Sequence, residues 1–373
     1  MKIRRFSVVG LNKKANFDFE FHDDINIFTG TNGSGKTTAL KLAWYLISGN
    51  CVRVRQEVSF SSCRLVTDRF TVYLERLKTG DISYEFESDG ESDSALFSDP
   101  TYDVDGDPES DGEDRLSDLI RECSPASLYF PTFRRIEGGY SIPKGRLNNP
   151  FASLRTNNQA SDNLSAQLEQ LSRSISSGAH RFICSISTED VSSLLTEKYA
   201  TVSEGVNSSY TDFSRKILTQ IRNWRQSGPS DYNETGGLLL DIQNSANEIE
   251  ALREESFRPF TVLSELVERM FSFRGVKLRS LALGDAAKAI DSDVLSAGEK
   301  QMLSFLVYNG FYSNTPIFID EPELSLHPDW QRKLFPTLLA QQASNQFIIS
   351  THSPFIYSKY EDKELSIGSV RGD

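Results

Sequence analysis

Apolar and polar positions alternate over Asn16–His22, where Phe17, Phe19 and Phe21 interleave with Asp18, Glu20 and His22, and this period of two predicts a half-buried strand. Lys2–Val9 predicts another strand. The short apolar run Ile25, Ile27 and Phe28 predicts a third, buried one, and Ala39–Leu46 follows with the apolar stripe of a helix. Ser59-Phe60, Arg64–Leu77 and Asp81–Phe86 then predict an antiparallel meander with turns at Thr67-Asp68 and Thr79-Gly80. Ser127–Thr132 resumes as a strand and ends in Phe133-Arg134-Arg135, whose arginines face phosphate or pair with carboxylates.

From Asp162 to about Phe257 the period changes to that of helices: Leu164, Leu168, Leu171 and Ile175; Val191, Leu194, Leu195 and Tyr199; Phe213, Ile217, Leu218, Ile221 and Trp224; Leu238–Ile249. Pro229 and Gly236-Gly237 punctuate this region, so a compact insertion of a few helices is expected, too short and too irregular for a long coiled coil. Arg215, Lys216, Arg222 and Arg225 sit at helical spacing within it; a solvated face is favoured over a basic binding stripe. Val262–Phe271 predicts another helix and Lys277–Leu283 a short strand. Thr315–Ile319 and Phe347–Ile349 are apolar enough for buried strands.

A chain of 373 residues exceeds one small core, so a large α/β domain carrying an insertion, or two domains, is expected. The 38 % hydrophobic and 25 % charged content is that of a soluble folded protein. No segment approaches the roughly 18 consecutive apolar residues of a membrane span, and Met1-Lys2-Ile3-Arg4-Arg5 leads into a strand pattern; no membrane and a cytoplasmic location are expected. Cys51, Cys63, Cys123 and Cys184 are too widely spaced for a zinc pair and read as reduced thiols.

The net charge of −12 is concentrated. Glu87–Asp118 holds 13 of the 52 acidic residues and one of the 40 basic ones, Arg115, which leaves the remainder neutral. Asp89–Asp114 is poor in apolar residues and predicts a solvated acidic loop. Asp107-x-Glu109-x-Asp111-Gly112 with Asp118 loosely matches a calcium loop. Glu109 stands where Asp or Asn is usual, Asp118 where Glu is, and no helix leads in.

Between the Ile25 strand and the Ala39 helix, Gly30-Thr31-Asn32-Gly33-Ser34-Gly35-Lys36-Thr37 fits G-x-x-x-x-G-K-[ST], with Thr38 behind it. Glycines turn backbone N–H groups inward around phosphates, and the helix N-terminus adds its dipole. Gly30, Asn32, Gly33, Ser34, Gly35, Lys36, Thr37 and Thr38 are therefore the nucleotide-binding candidates. Lys36 would reach the β- and γ-phosphates, and Thr37 would offer its hydroxyl to Mg²⁺. ATP and Mg²⁺ are the cofactors this implies.

Two later stretches add chemistry to the grip. Asp320 and Glu321 end the Thr315–Ile319 strand, the Walker B pattern, so Asp320 would bind Mg²⁺ and Glu321 would polarise the attacking water. Val294-Leu295-Ser296-Ala297-Gly298-Glu299-Lys300-Gln301 opens a helix with Ser296 and Glu299 spaced as a capping box.

With these three blocks in place the chain resembles the ATP-binding-cassette (ABC) ATPases over roughly residues 1–150 and 276–360. The resemblance implies an α/β fold: an ABC-type P-loop head with a mixed central sheet and an antiparallel meander, interrupted by a helical subdomain. Residues 1–150 would form one lobe, 151–275 the insertion and 276–373 the second lobe. It makes Ser296, Gly298 and Glu299 the signature that binds the γ-phosphate of ATP held by another copy, hence an ATP-sandwich homodimer. It makes His352, after the Phe347 strand, the switch histidine. Gln56 would be the Q-loop ligand of Mg²⁺, beside the alternative of an ordinary surface glutamine.

Glu321-Pro322-Glu323-x-x-Leu326-His327-Pro328, the Leu-Ser-Ala-Gly-Glu-Lys-Gln signature and Tyr129-Phe130-Pro131-Thr132-Phe133-Arg134-Arg135 resemble the OLD, RecF and SMC side of that superfamily. The D-loop aspartate is missing, and Ser325 or His327 would stand in for it. OLD nucleases carry a TOPRIM domain, for which the residues after His352 are too few. A separate effector protein, a nuclease by this reasoning, is the expected partner, as in the ATPase subunits of antiphage systems such as PARIS, Septu and retron modules. The alternative is a DNA-maintenance ATPase of RecF or SMC type that clamps duplex, with nucleic acid as the partner. A transporter subunit fits worst.

Overall fold

The computed structural model describes residues 1–97, 112–132, 135–136, 170–186, 188–227, 232–271 and 296–368. The chain divides into two units, Met1–Ser187 with Ser296–Phe305 and Tyr312–Asp373, and Thr188–Leu295 with Leu306–Phe311.

In the first unit, segments apolar on both faces form the centre of a parallel sheet, as expected where helices cover each side. β3 (Ile25–Thr29), β8 (Ser127–Phe130), β10 (His180–Phe182), β12 (Pro316–Asp320), β13 (Gln346–Ser350) and β14 (Glu364–Ser366) assemble in the order β10-β8-β12-β13-β3-β14. Every residue of β3, β8, β12 and β13 is buried. The register sets Asp320 beside Ser350 and Ser350 beside Phe28, so three strands end level at one edge. Two short strands, β9 (Arg135–Ile136) and β11 (Ser185–Ile186), pair separately.

The segments that alternate build a second, antiparallel sheet in the order β2-β1-β4-β5-β6-β7. It contains β1 (Ile3–Leu11), β2 (Ala15–Glu20), β4 (Ser62–Thr67), β5 (Phe70–Arg76), β6 (Ile82–Ser88) and β7 (Glu91–Phe97). The α/β class with parallel and antiparallel sheets, expected from the resemblance to P-loop ATPase heads, is the one observed. Helix α1 (Lys36–Ser48) lies between the sheets, with Leu40, Leu42, Ala43, Trp44, Leu46 and Ile47 fully buried in a core shared with Phe6, Leu65 and Val72 of one sheet and Phe28, Phe318 and Ile348 of the other. Short α2 (Cys51–Glu57) and α3 (Gly112–Cys123) flank it.

On the outer face of the parallel sheet, α6 (Ala297–Phe311) sets Phe305 edge-on to Phe130, with ring centroids 5.1 Å apart, and α7 (Pro328–Ala340) sets Phe335 against Phe347 at 5.6 Å. Buried Gln346 ties the sheets together: its amide accepts from Ile3 N–H at 2.7 Å and donates to the Ile3 and His22 carbonyls at 2.9 and 2.7 Å.

Two expectations are corrected. The acidic stretch is not one solvated loop, because Glu91–Phe97 forms the edge strand of the meander and residues 112–118 open α3. Phe97 is buried against Tyr84, and Leu116 and Ile120 reach the core. The apolar residues are few but fall on one face, where pairing and packing recruit them. Residues 98–111, including Asp107, Glu109 and Asp111 of the calcium-like spacing, lie outside the described residues, as do Arg134, Leu164, Leu168, Pro229 and Lys277–Leu283.

The helical middle is also longer in its elements than its punctuation suggested. In the second unit α4 (Thr188–Ser227) and α5 (Tyr232–Phe271) each run for 40 residues, about 60 Å at 1.5 Å per residue. Tyr199 meets Phe257 and Phe260 at 5.5 Å, and Tyr210 donates to Glu250 at 3.1 Å, so the two helices pair in antiparallel fashion. Gly236-Gly237 and Pro259 lie inside α5 rather than ending it, and Val262–Phe271 is its last stretch, not a separate helix. Each interior glycine costs about 1 kcal/mol relative to alanine.

Candidate functional site

The phosphate loop is built by backbone conformations that favour glycine. Gly30, Gly33 and Gly35 have φ of 143°, 78° and 102°. A Cβ on Gly30 would meet the Ile367 carbonyl at 2.4 Å, so that position also admits no side chain. Gly35 is the N-cap of α1 and leaves the N–H groups of the first turn facing the loop without a side-chain cap. Among the described residues, Ser34 Oγ is buried and has no hydrogen-bond partner. Asn32 is exposed, and Thr38 Oγ1 accepts from Asn12 at 3.2 Å.

Lys36 heads α1, with its Nζ 3.2 and 3.3 Å from the carbonyls of Gly30 and Thr31 and 2.8 Å from His352 Nε2. Burial pushes its pKa down, against the charges of Glu321, Asp320 and Glu323. Burial first and then the Lys36 charge lower that of His352, against the charge of Glu323. With Lys36 donating, Nε2 is the acceptor nitrogen of a neutral imidazole.

Asp320 is buried and receives three hydroxyls: Thr37 at 3.1 Å, Ser350 across the strand pair, and Thr132 from beyond β8. The roles of Thr132 and Ser350 had no sequence signal beyond their strand-end positions. Glu321 follows with φ of 49°, a left-handed turn that aims its carboxylate away from the strand direction, and Oε1 reaches 3.5 Å from His352 Nε2. Burial first, then hydrogen bonding to Glu323 and the charges of Glu323 and Asp320, raise the Glu321 pKa well above the usual carboxylate range.

The structure thus brings Lys36, Thr37, Asp320, Glu321 and His352 to one sheet edge, the position where open parallel sheets carry their ligand chemistry. Among the described residues there is no cluster of three or more metal-ligating side chains. The donor set nevertheless suits Mg²⁺, which takes one or two protein oxygens and completes its shell with water and phosphate. Thr37 Oγ1 and the Asp320 carboxylate are already 3.1 Å apart. Gln56, expected to join them, lies near the end of α2 with an exposed side chain, and among the described residues no contact links it to either.

Ser296 caps α6. Its hydroxyl accepts from Glu299 N–H at 3.4 Å while Glu299 Oε2 accepts from Ser296 N–H at 2.7 Å, the reciprocal box its spacing predicts. Gly298 has a local reason to be glycine: a Cβ there would stand 2.4 Å from the Ser325 carbonyl. Ser325 itself has φ of 74°. Gln301 Nε2 donates to the Pro322 carbonyl at 3.2 Å, so the signature helix is fastened to the turn that follows Glu321. His327 caps α7, accepting from Asp329 N–H at 3.4 Å.

The model of the family described as "AAA domain, putative AbiEii toxin, Type IV TA system" matches residues 238–358, the stretch holding the signature, Asp320, Glu321 and His352. The chain is similar to the Retron Ec83 probable ATPase of Escherichia coli, 27 % identical over 156 residues. The match covers 35 % of this chain and 28 % of the relative's length. Among solved structures, the Smc head domain with an extended coiled coil bound to the C-terminal domain of ScpA, from Pyrococcus furiosus, is similar at a TM-score of 0.37 and 12 % identity, covering 96 % of this chain and 91 % of that one. The SmcHead bound to the C-winged helix domain of ScpA is similar at 0.40 and 9 %, covering 99 % and 95 %.

Proposed function

We propose that this chain is an ABC-class ATPase that binds ATP on Gly30–Thr38 and hydrolyses it to ADP and phosphate. The convergence of Lys36, Thr37, Asp320, Glu321 and His352 at one sheet edge carries the reading. Lys36 leaves its loop carbonyls for the β- and γ-phosphates. Thr37 and Asp320 would hold Mg²⁺, which neutralises phosphate charge when bound. Glu321 orients the water and takes its proton, and His352 hydrogen-bonds the γ-phosphate. No described helix is long and apolar enough to cross a membrane, which is compatible with work in the cytoplasm.

The ATP-bound form is a homodimer in which Ser296 and Gly298 of a second copy complete the phosphate site. Its role is to hold or release a separate effector, such as a nuclease, in antiphage defence. The retron ATPase relative supports this setting. A clamp for duplex DNA is the second reading, favoured by the exposed Lys216, Arg222 and Arg225 on α4; Arg215 is paired with Asp212 at 2.9 Å. The test is phosphate release by the purified chain together with its mass with and without ATP. Turnover and ATP-dependent doubling are expected, and a chain that neither binds nor hydrolyses ATP contradicts the reading. Duplex affinity that falls steeply with salt would select the clamp. Co-purification of a nuclease from the native host would select the defence role.

A further inference from the structure

The turn after Glu321 grips the loop that carries His352. Glu323 Oε1 accepts from the His352 backbone N–H at 2.7 Å, and its Oε2 accepts from the Thr351 hydroxyl at 2.8 Å. The main chain of Glu323 is fixed in turn, since its carbonyl accepts from Leu326 N–H at 3.0 Å and from Gln331 Nε2 at 3.4 Å. Gln331 also donates to the Leu326 carbonyl at 2.8 Å and accepts from the Ser353 hydroxyl at 2.5 Å. Thr351 Oγ1 accepts from Ser353 N–H at 3.0 Å, closing the network. Thr351 and His352 are therefore held by the side chain of Glu323, two residues after Glu321, and Ser353 by that of Gln331 from α7.

We propose that Glu323 is a positioning residue for His352: its bidentate grip on the Thr351 hydroxyl and the His352 N–H sets where the imidazole stands relative to Lys36 and Glu321. The backbone of His352 is pinned one bond from its Cα, which leaves the ring two torsions to find Nε2 at 2.8 Å from Lys36 and 3.5 Å from Glu321. A carboxylate serves because both partners donate, and it offers an acceptor to each. Glutamine can keep the geometry: its oxygen accepts the His352 N–H while its NH₂ donates to the Thr351 hydroxyl, which rotates to accept. Alanine leaves both groups without their partner. The kinetic consequence rests on the ATPase reading; the positional one does not.

The experiment compares the full-length chain with Glu323→Ala, Glu323→Gln and Thr351→Val. Fluorescent-nucleotide affinity, steady-state kcat and KM, and amide hydrogen exchange of the 350–354 segment by mass spectrometry are measured for each. Glu323→Ala is expected to lose about 10- to 100-fold in kcat, the usual effect of removing a group that orients a functional side chain. Its nucleotide affinity should stay within about twofold, with faster exchange at 351–353. Glu323→Gln should restore most of the turnover and the slow exchange. Thr351→Val, which removes one of the two bonds, should fall between them.

Unchanged exchange and kcat in Glu323→Ala overturn the proposal, and so does a glutamine variant as impaired as the alanine one, which would assign the effect to charge. If wild type shows no turnover, the ATPase reading fails and the exchange arm still decides the positional claim. If Glu323→Ala does not fold, Glu323→Gln and Thr351→Val carry the comparison.

Discussion

Lys36 Nζ stands 2.8 Å from His352 Nε2 while its remaining protons face the carbonyls of Gly30 and Thr31. The ammonium is satisfied by its own loop and by the histidine. On the proposed reading, phosphate oxygens would replace these neutral acceptors with charge-assisted bonds that are roughly twice as strong. The pair would thus link arrival of nucleotide to release of the imidazole.

Lys36→Ala removes that charge. Truncating one partner of a buried charge-assisted contact costs about 2–5 kcal/mol, so nucleotide affinity should fall by about 30-fold or more. Titration with a fluorescent ATP analogue measures it. Retention at wild-type affinity would remove Gly30–Thr38 as the nucleotide site.

Glu321→Gln preserves size and the left-handed turn at φ 49° but cannot take a proton from water. Turnover should drop about 10²- to 10⁴-fold, the range of a positioned general base, with nucleotide affinity held. The dimer should also persist longer in ATP, which light scattering would report. Normal hydrolysis in this variant would assign the base elsewhere.

The convergence of these residues was legible in sequence because each sits in a spacing that a phosphate site would impose: a glycine-rich turn after a strand, two acids at a strand end, a histidine closing another strand. What was not legible has a common cause. Glu323, Gln331, Thr132 and Ser350 act through contacts made only when separate segments meet, and their residue types occur anywhere on a surface. Likewise Glu91–Phe97 pairs as a strand because β6 offers an edge, although its own composition is that of a loop. In the helical middle, α5 runs through Gly236-Gly237 and Pro259, positions where local propensity alone predicts a break.

Gly298 separates two explanations of the signature. Its sequence reading was contact with a phosphate on another copy, whereas the structure leaves a Cβ only 2.4 Å from the Ser325 carbonyl. Gly298→Ala must therefore shift the 322–326 turn even without nucleotide, at about 1–3 kcal/mol, the usual cost of overpacking. Urea denaturation of the nucleotide-free chain tests this. A midpoint unchanged from wild type would leave the phosphate contact as the sole reason for the glycine.

His180 supplies a pH dependence away from the site. It is buried, with Nδ1 2.8 Å from Ser127 Oγ and Nε2 3.2 Å from the Ser124 carbonyl, and burial pushes its pKa down from 6.5 to about 4. The folded value lies below the unfolded one, so the unfolded chain takes up a proton through pH 6.5 that the folded chain refuses until about pH 4. The neutral ring's contribution is complete above pH 6.5 and is lost as pH falls through that window, up to about 3 kcal/mol with a limiting slope of about 1.4 kcal/mol per pH unit. His180→Gln should be less stable at pH 7.5, by about 1 kcal/mol for an imperfectly replaced hydrogen bond, yet lose less stability on acidification. Urea midpoints from pH 7.5 to 4.5 give both slopes, and parallel slopes in the two proteins would show that His180 is not the group that titrates.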